Sequence, residues 1–277
     1  MKRLFILLIL TLLPLIGSAS VLEQQRLAQA IATAKTAQAK GFAIARMADY
    51  RDNGWKNSEA KMKMTLKNRH GRTSTRYLRV RSMEVPGDGD KGLSIFDRPR
   101  DVKGTAVLTW SHSLKPDHQW MYLPALRRVK RISSRNKSGP FMGSEFSYED
   151  IASQELDKYR YRYLRSERYN GKDCYVIVRY PAYRYSGYKR MITWMDKRHF
   201  NPQKVDYYDR KNSRLKTLTF KKYKSYLVNG KNFWRPGEMF MQNHQTGKST
   251  LLKWQYYRFN RRFTKRNFDK STLKRLR

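Results

Sequence analysis

Residues 118–151 read HQWMYLPALRRVKRISSRNKSGPFMGSEFSYEDI and join three kinds of sequence that rarely occur together. An aromatic, strand-like segment comes first. Six cations follow within eleven residues: Arg127, Arg128, Lys130, Arg131, Arg135 and Lys137. A loop with glycine and proline then carries apolar residues and ends in Glu149 and Asp150. A cationic rim beside an apolar loop favours a ligand with an anionic head and an apolar body.

The apolar loop residues are predicted to form a lid or mouth that moves to admit a ligand: Phe141, Met142, Phe146 and Tyr148. Four cations are candidates for headgroup or docking contacts: Arg127, Arg128, Lys130 and Arg131. If residues 119–131 fold as strand, turn and strand, Arg128 and Lys130 share one face because side chains alternate. Arg127 and Arg131 would share the other face, so these cations would not form a single patch.

Two other roles for these cations stay open. Some of them are expected to be solvated surface groups, since exposed charges contribute little to stability. Alternatively, Arg127 or Arg131 pairs with Glu149 or Asp150 and holds the loop in place.

The first nineteen residues have the features of a cleavable signal peptide. Lys2 and Arg3 precede an apolar run, and the small residues 17–19 offer a cleavage site. The run is shorter than the ~20 residues that a membrane-spanning helix needs. No cysteine stands directly after this apolar run, so lipidation of the N-terminus is not predicted. We expect export to the periplasm, with an uncleaved N-terminal anchor as the alternative.

The chain is strongly basic, with 60 Lys and Arg against 22 Asp and Glu and a net charge of +38. Such a charge attracts nucleic acid, phospholipid headgroups and lipopolysaccharide phosphates. Export argues against nucleic acid as the partner. Cys174 is the only cysteine, which excludes an intramolecular disulfide.

The chain beyond residue 19 is predicted to be a single domain, residues 20–277, that is mainly β with an N-terminal helical part. Residues 20–52 are helical in pattern, with a break at Gly41. Apolar and polar residues then alternate in ten or eleven segments, beginning with residues 60–67. Short connections predict a strongly curved antiparallel sheet, an incomplete barrel, with the helix on its concave face.

One helix cannot cover the inside of so large a sheet, so side chains, a lid or a ligand must fill the remaining space. Methionine suits a surface that accepts disordered acyl chains, although ordinary core packing is the alternative for each residue. The residues predicted to line the cavity are Met62, Met64, Leu78, Met121, Met191, Trp194, Met239, Met241 and Trp254.

Signals for catalysis are weak. The five histidines are scattered, and the sequence has neither a Gly-x-Ser-x-Gly motif nor a Cys-x-x-Cys motif. Residues 87–90 (GDGD) lack the spacing of a calcium loop and predict a turn. Glu149 and Asp150 fit the start of a helix better than a catalytic pair. No catalytic residue, cofactor or metal site is predicted.

Residues 119–151 closely resemble the signature of the LolA-like outer-membrane lipoprotein-sorting proteins. The resemblance continues upstream in RPRDVKGTAVLTW and downstream in three further segments, residues 192–209, 216–224 and 239–254. It implies an incomplete antiparallel β-barrel that covers a helical lid around a hydrophobic cavity. It also implies a non-enzymatic, monomeric carrier of lipid or lipoprotein acyl chains.

The resemblance is greatest to the branch associated with exporters of the resistance-nodulation-division type. It therefore implies such an exporter in the inner membrane as a partner. An anionic membrane surface is a second expected partner. Two features depart from the family: the high net charge and the basic segment of residues 258–277. They keep open a second function, the binding of anionic polymer or lipopolysaccharide through the basic surface.

Overall fold

A computed structural model describes residues 16–276, with side chains from Val21 onward. Residues 1–15 of the predicted signal peptide lie outside the described residues. Within the described range, no helix is both long enough and apolar enough to cross a membrane. The α-helices are α1 (Ile16–Thr33), α2 (Ala37–Asp52) and α3 (Tyr148–Ile151). Short 3₁₀ helices cover Pro124–Leu126, Ser134–Asn136, Phe141–Gly143, Leu156–Lys158, Lys265–Phe268 and Lys270–Arg275.

Fifteen strands follow α2. They are β1 (Asn57–Lys67), β2 (Thr73–Met83), β3 (Lys91–Arg98), β4 (Ala106–Trp110), β5 (His118–Leu123), β6 (Arg128–Ile132), β7 (Tyr159–Tyr169), β8 (Lys172–Pro181), β9 (Tyr188–Asp196), β10 (Pro202–Asp209), β11 (Arg214–Lys221), β12 (Lys224–Val228), β13 (Lys231–Arg235), β14 (Glu238–Asn243) and β15 (Ser249–Phe259).

Thirteen of these strands form one antiparallel sheet in the order β6-β5-β4-β3-β2-β1-β15-β14-β11-β10-β9-β8-β7, while β12 and β13 form a separate hairpin. The first strand pairs with the last, Ala60 opposite Tyr257, so the two halves of the chain meet in the middle of the sheet. Strands β6 and β7 are the edges, and the sheet is not closed. The predicted fold class, a curved and incomplete antiparallel barrel, is confirmed.

The strand number was underestimated. Strand β7 alternates buried Tyr159 and Tyr161 with exposed Arg160 and Arg162, a period-two pattern that the prediction missed. Residues 232–241 read like one strand in sequence but are divided between β13 and β14, because Pro236 and Gly237 interrupt them.

The two helices separate at residues 34–36, and the predicted break at Gly41 is wrong. The Thr36 side chain caps α2 by accepting a hydrogen bond from the Ala39 N–H at 3.1 Å. Gly41 lies inside α2, where a Cβ would stand 2.6 Å from the backbone carbon of Arg162. The glycine therefore permits α2 to pack directly on β7.

The main core lies on the concave face of the sheet. Leu27 of α1 and Ile44 and Met47 of α2 are buried there, which confirms that the N-terminal helices cover this face. A second cluster on the convex face includes Phe268 and Leu273. Residues 258–277 are thus not simply a free basic tail, because these two side chains are buried against the sheet.

Candidate functional site

A cavity of about 1860 Å³ opens on the concave side of the sheet. It is larger than an ordinary small-molecule pocket, which measures roughly 300–1,000 Å³. The C-terminal half of α2, strands β8–β11, the β12–β13 hairpin, the loop at residues 84–92 and the segment at residues 150–157 border it.

The apolar wall of the cavity comes from inward-facing positions on neighbouring strands. One row of directly paired residues crosses strands β8 to β11. Each residue stands opposite the next on the neighbouring strand: Ile177, Thr193, Val205 and Leu218. Other large apolar residues of the wall include Val80, Tyr161, Met195, Phe200, Phe220, Met239, Trp254 and Tyr257. This wall can hold a long apolar ligand without covalent chemistry.

Of the nine residues predicted to line the cavity, Met239 and Trp254 are in its wall. Six others pack in or against the concave core without lining the open space: Met62, Met64, Leu78, Met121, Met191 and Met241. They support the wall rather than form it.

Trp194 requires a correction, because it lies on the convex face. Met191, Thr193 and Met195 point into the concave side, so strand alternation directs Trp194 the other way. It packs with Cys174 and Val176, and its indole N–H donates to Glu167.

The predicted lid residues also occupy an unexpected place. Phe141, Phe146 and Tyr148 are buried and Met142 is half-buried, all packed in the concave core. They do not form an exposed lip. These residues lie in the connection between β6 and β7, residues 133–158. The part of this connection that borders the cavity is residues 150–157.

Glu149 and Asp150 fasten the connection to the sheet. The Lys216 ammonium lies 2.6 Å from the Asp150 carboxylate, and both side chains are 5% exposed. Glu149 accepts hydrogen bonds from the Ser186 hydroxyl at 2.6 Å and the Gly187 N–H at 2.8 Å. The alternative in which these acids pair with Arg127 or Arg131 is therefore wrong, and no local sequence pattern pointed to Lys216.

The cations of the opening stretch do not act as one group. Arg127, Arg128, Lys130 and Arg131 are exposed. Lys130 stands opposite Met121, which packs against the concave core, whereas Arg131 stands opposite Trp120 of the convex cluster. The two faces of β6 therefore divide the cations, as predicted from alternation.

Carboxylates gather at the border of the cavity. Burial, reinforced by Glu155 and Glu84, raises the pKa of Asp90 to about 7. Burial also raises the pKa values of Asp49 and Glu155. In the described residues, eight Asp and Glu side chains line the cavity against six Lys and Arg, which reverses the balance of the whole chain.

Four buried polar atoms of the cavity wall have no hydrogen-bond partner in the described structure: Arg51 Nε, Arg179 Nε, Thr193 Oγ1 and Trp254 Nε1. The prediction missed Arg179 and Thr193. The available signal was Arg179 itself, a cation in an otherwise apolar strand at the same phase as Ile177. Among the described residues, no cluster of His, Cys, Asp and Glu could hold a metal ion.

Known structures share this architecture. A domain of an outer membrane lipoprotein-sorting protein from Vibrio parahaemolyticus is 54% identical, with 85% of this chain and 98% of that one covered and a TM-score of 0.82. A DUF1329 family protein from Desulfovibrio piger is 30% identical, covering 86% and 100%, with a TM-score of 0.80. A LolA superfamily protein from Nitrosomonas europaea is 19% identical, covering 86% and 99%, and its TM-score of 0.66 shows the same fold.

A family model described only as an uncharacterized protein matches residues 88–275. No curated protein matches the chain. The identity to the Vibrio domain extends over nearly all of that domain, and the described fold is common to both. The chain therefore belongs to the family of outer membrane lipoprotein-sorting proteins, and its fold is LolA-like.

Proposed function

We propose that this protein is a noncovalent carrier of the acyl chains of a lipid or lipoprotein. The observation that supports this function is the large concave cavity, whose wall is built from Ile177, Val205, Leu218, Met239 and neighbouring apolar residues. The Vibrio relative, a lipoprotein-sorting protein by name, points to the same class of cargo.

Burial of an acyl chain supplies the binding free energy, at about 0.8 kcal/mol for each methylene removed from water. Such binding is reversible, which transport requires. The connection at residues 144–150 is fastened by Lys216, so we place the entrance elsewhere. The ligand enters between the end of α2, the β12–β13 hairpin and the loop at residues 84–92.

In the cell, the proposed carrier is exported by a cleavable signal peptide and works in the periplasm without lipidation. It moves its cargo toward the outer membrane, and an exporter of the resistance-nodulation-division type is the proposed inner-membrane partner. The proposal includes no enzymatic step.

Native mass spectrometry of protein purified from cells tests the carrier function, together with titration of a fluorescent fatty acid. A48W places a bulky ring in the cavity wall from α2, whereas R46W changes an exposed position of the same helix. We expect A48W to weaken probe binding at least tenfold and R46W to leave it unchanged. Ligand-free protein that takes up no probe would refute the carrier function.

A second candidate function is binding of anionic polymer or lipopolysaccharide through the basic surface. The exposure of Arg127, Arg128, Lys130 and Arg131 at the edge of the sheet favours it. Binding of this kind needs no cavity and weakens steeply with salt. A48W would then leave binding intact, while removal of the four cations would abolish it.

A further inference from the structure

Arg179 projects from β8 into the wall of the cavity without an anionic partner. Its direct neighbours across the strands are Tyr161 on β7 and Met191 on β9. Its guanidinium lies 5.0 Å from the centre of the Tyr159 ring. Within the described residues it forms no ion pair and its Nε has no acceptor, and residues 1–20 contain no acidic side chain.

The surrounding tyrosines do not neutralise this charge. Burial raises the pKa of Tyr159 to about 12, and burial likewise raises the pKa values of Tyr161 and Tyr207. All three hydroxyls are therefore neutral at physiological pH. An arginine removed from bulk water is normally paired with an acid, because an unpaired charge in such surroundings is costly. Arg179 is the exception that needs an explanation.

Three of the acids that line the cavity have other partners. Asp150 pairs with Lys216, Asp52 with Arg235, and Asp88 lies 2.7 Å from the imidazole of His112. No carboxylate of the described residues, in the cavity or outside it, forms an ion pair with Arg179. The guanidinium can therefore meet an anion that arrives with a ligand.

Thr193 supplies a second polar group on the same wall. It is 4% exposed, and its hydroxyl has no partner in the described structure. Because Thr193 stands opposite Ile177, Arg179 is its diagonal neighbour on the same face of the sheet. Diagonal positions are roughly 7–8 Å apart, within the reach of a long side chain. The hydroxyl and the guanidinium thus border one region of the cavity.

We propose that Arg179 and Thr193 form an anion-binding subsite for the carboxylate or phosphate at the end of an acyl ligand. The planar guanidinium offers two parallel N–H donors to such a group, and the threonine hydroxyl offers a third donor. The apolar row from Ile177 to Leu218 then receives the chain. This inference rests on the proposed carrier function and specifies the chemistry of its cargo.

The test compares three ligands of equal chain length: dodecanoate, dodecyl phosphate and dodecanol. Isothermal titration with the wild-type protein should show at least tenfold tighter binding of one or both anions than of the alcohol. R179M should remove that preference and leave the affinity for dodecanol nearly unchanged, and T193V should reduce it. R160M is the matched control, since Arg160 is exposed on the neighbouring strand.

The two anionic ligands separate the possible sources of the charge. A preference for dodecanoate indicates a free fatty acid, and a preference for dodecyl phosphate indicates a phospholipid. Equal binding of all three ligands, or an anion preference that survives R179M, would overturn the subsite while the carrier function stands. Failure of the wild-type protein to bind any of the three would overturn the carrier function, and the subsite with it.

A folding measurement covers the case in which R179M perturbs the structure. If Arg179 is held ready for a ligand, R179M should raise the urea midpoint of the ligand-free protein, because an unpaired charge is removed. If Arg179 has a structural role instead, the midpoint should fall, and the proposal would be wrong. R179K keeps the positive charge but lacks the paired N–H donors of the guanidinium, so it should retain only part of the anion preference.

Discussion

At the scale of single residues, Asp90 at the border of the cavity is expected to titrate near neutral pH. Its carboxyl is half-buried near Glu155 and Glu84, and desolvation followed by the charges of these two acids raises its pKa to about 7. In the unfolded chain this carboxyl releases its proton near pH 4. Between these values the folded protein binds the extra proton, so the contribution of Asp90 to stability falls as the pH rises through this window.

We expect D90N to remove this dependence. The free energy of unfolding of the wild-type protein relative to D90N should decline from pH 4 to pH 7, by at most about 4 kcal/mol for a shift of three units. Urea unfolding at pH 4 and pH 8 measures the difference. D101N, at an exposed loop position, serves as the control. Parallel pH profiles for wild type and D90N would contradict the prediction.

At the scale of elements, the buried ion pair between Lys216 and Asp150 helps to hold the connection between the two edge strands. Lys216 on β11 reaches Asp150 in α3 and also donates to the Glu145 carbonyl at 2.8 Å. Removal of one partner of such a pair leaves an uncompensated buried charge. K216M should therefore lower the free energy of unfolding by about 3–5 kcal/mol.

The matched control is K222M, because Lys222 also pairs with an acid, Glu238, but is 67% exposed. It should change stability by less than about 1 kcal/mol. Denaturant unfolding of both variants gives the comparison. If K216M costs no more than K222M, the Lys216–Asp150 pair does not stabilise the connection.

The contact of α2 with β7 depends on Gly41. A Cβ there would stand 2.6 Å from the backbone carbon of Arg162, and backbone cannot move aside as a flexible side chain can. G41A should destabilise the protein by about 1–3 kcal/mol, although alanine favours helix. G92A is the control, since a Cβ at Gly92 meets no atom within 4 Å. A melting temperature of G41A equal to or higher than that of G92A would contradict this packing.

The elements also show what the sequence could and could not predict. Alternation correctly placed Met62 and Met64 inside, because buried and less buried positions alternate in β1 from Ala60 to Met64. The prediction misplaced Trp194 because it relied on hydrophobicity in a strand whose last four residues, 193–196, are all buried. When both faces are apolar, hydrophobicity no longer identifies the inner one.

The prediction for the connection between β6 and β7 was wrong for a different reason. Phe141 and Phe146 lie in a loop with glycine and proline, and composition there indicates a surface. The segment that carries them is fastened in part by Lys216, which lies 66 residues beyond Asp150 in the chain. Ion pairs over such separations have no local pattern, so the burial of this segment could not be derived from sequence. The motif resemblance gave the fold but not this detail.

At the scale of the whole molecule, the charge distribution separates the outside from the cavity. The chain carries 60 cations and 22 acids, yet acids outnumber cations among the residues that line the cavity. The excess positive charge therefore lies elsewhere, including the edge strand β6. An outer surface of this kind favours approach to an anionic membrane, where each Lys or Arg contributes about 1 kcal/mol near the surface.

Sedimentation with vesicles that contain phosphatidylglycerol tests this approach. The wild-type protein should bind at low ionic strength and dissociate as salt shortens the Debye length from roughly 30 Å toward 8 Å. Substitution of Arg127, Arg128, Lys130 and Arg131 by glutamine should weaken binding by up to about 4 kcal/mol, or nearly a thousandfold. The control replaces four exposed arginines of β7: Arg160, Arg162, Arg165 and Arg168. It removes the same charge from the opposite edge of the sheet, so an equal loss in both variants would mean that net charge, and not docking by β6, brings the protein to the membrane.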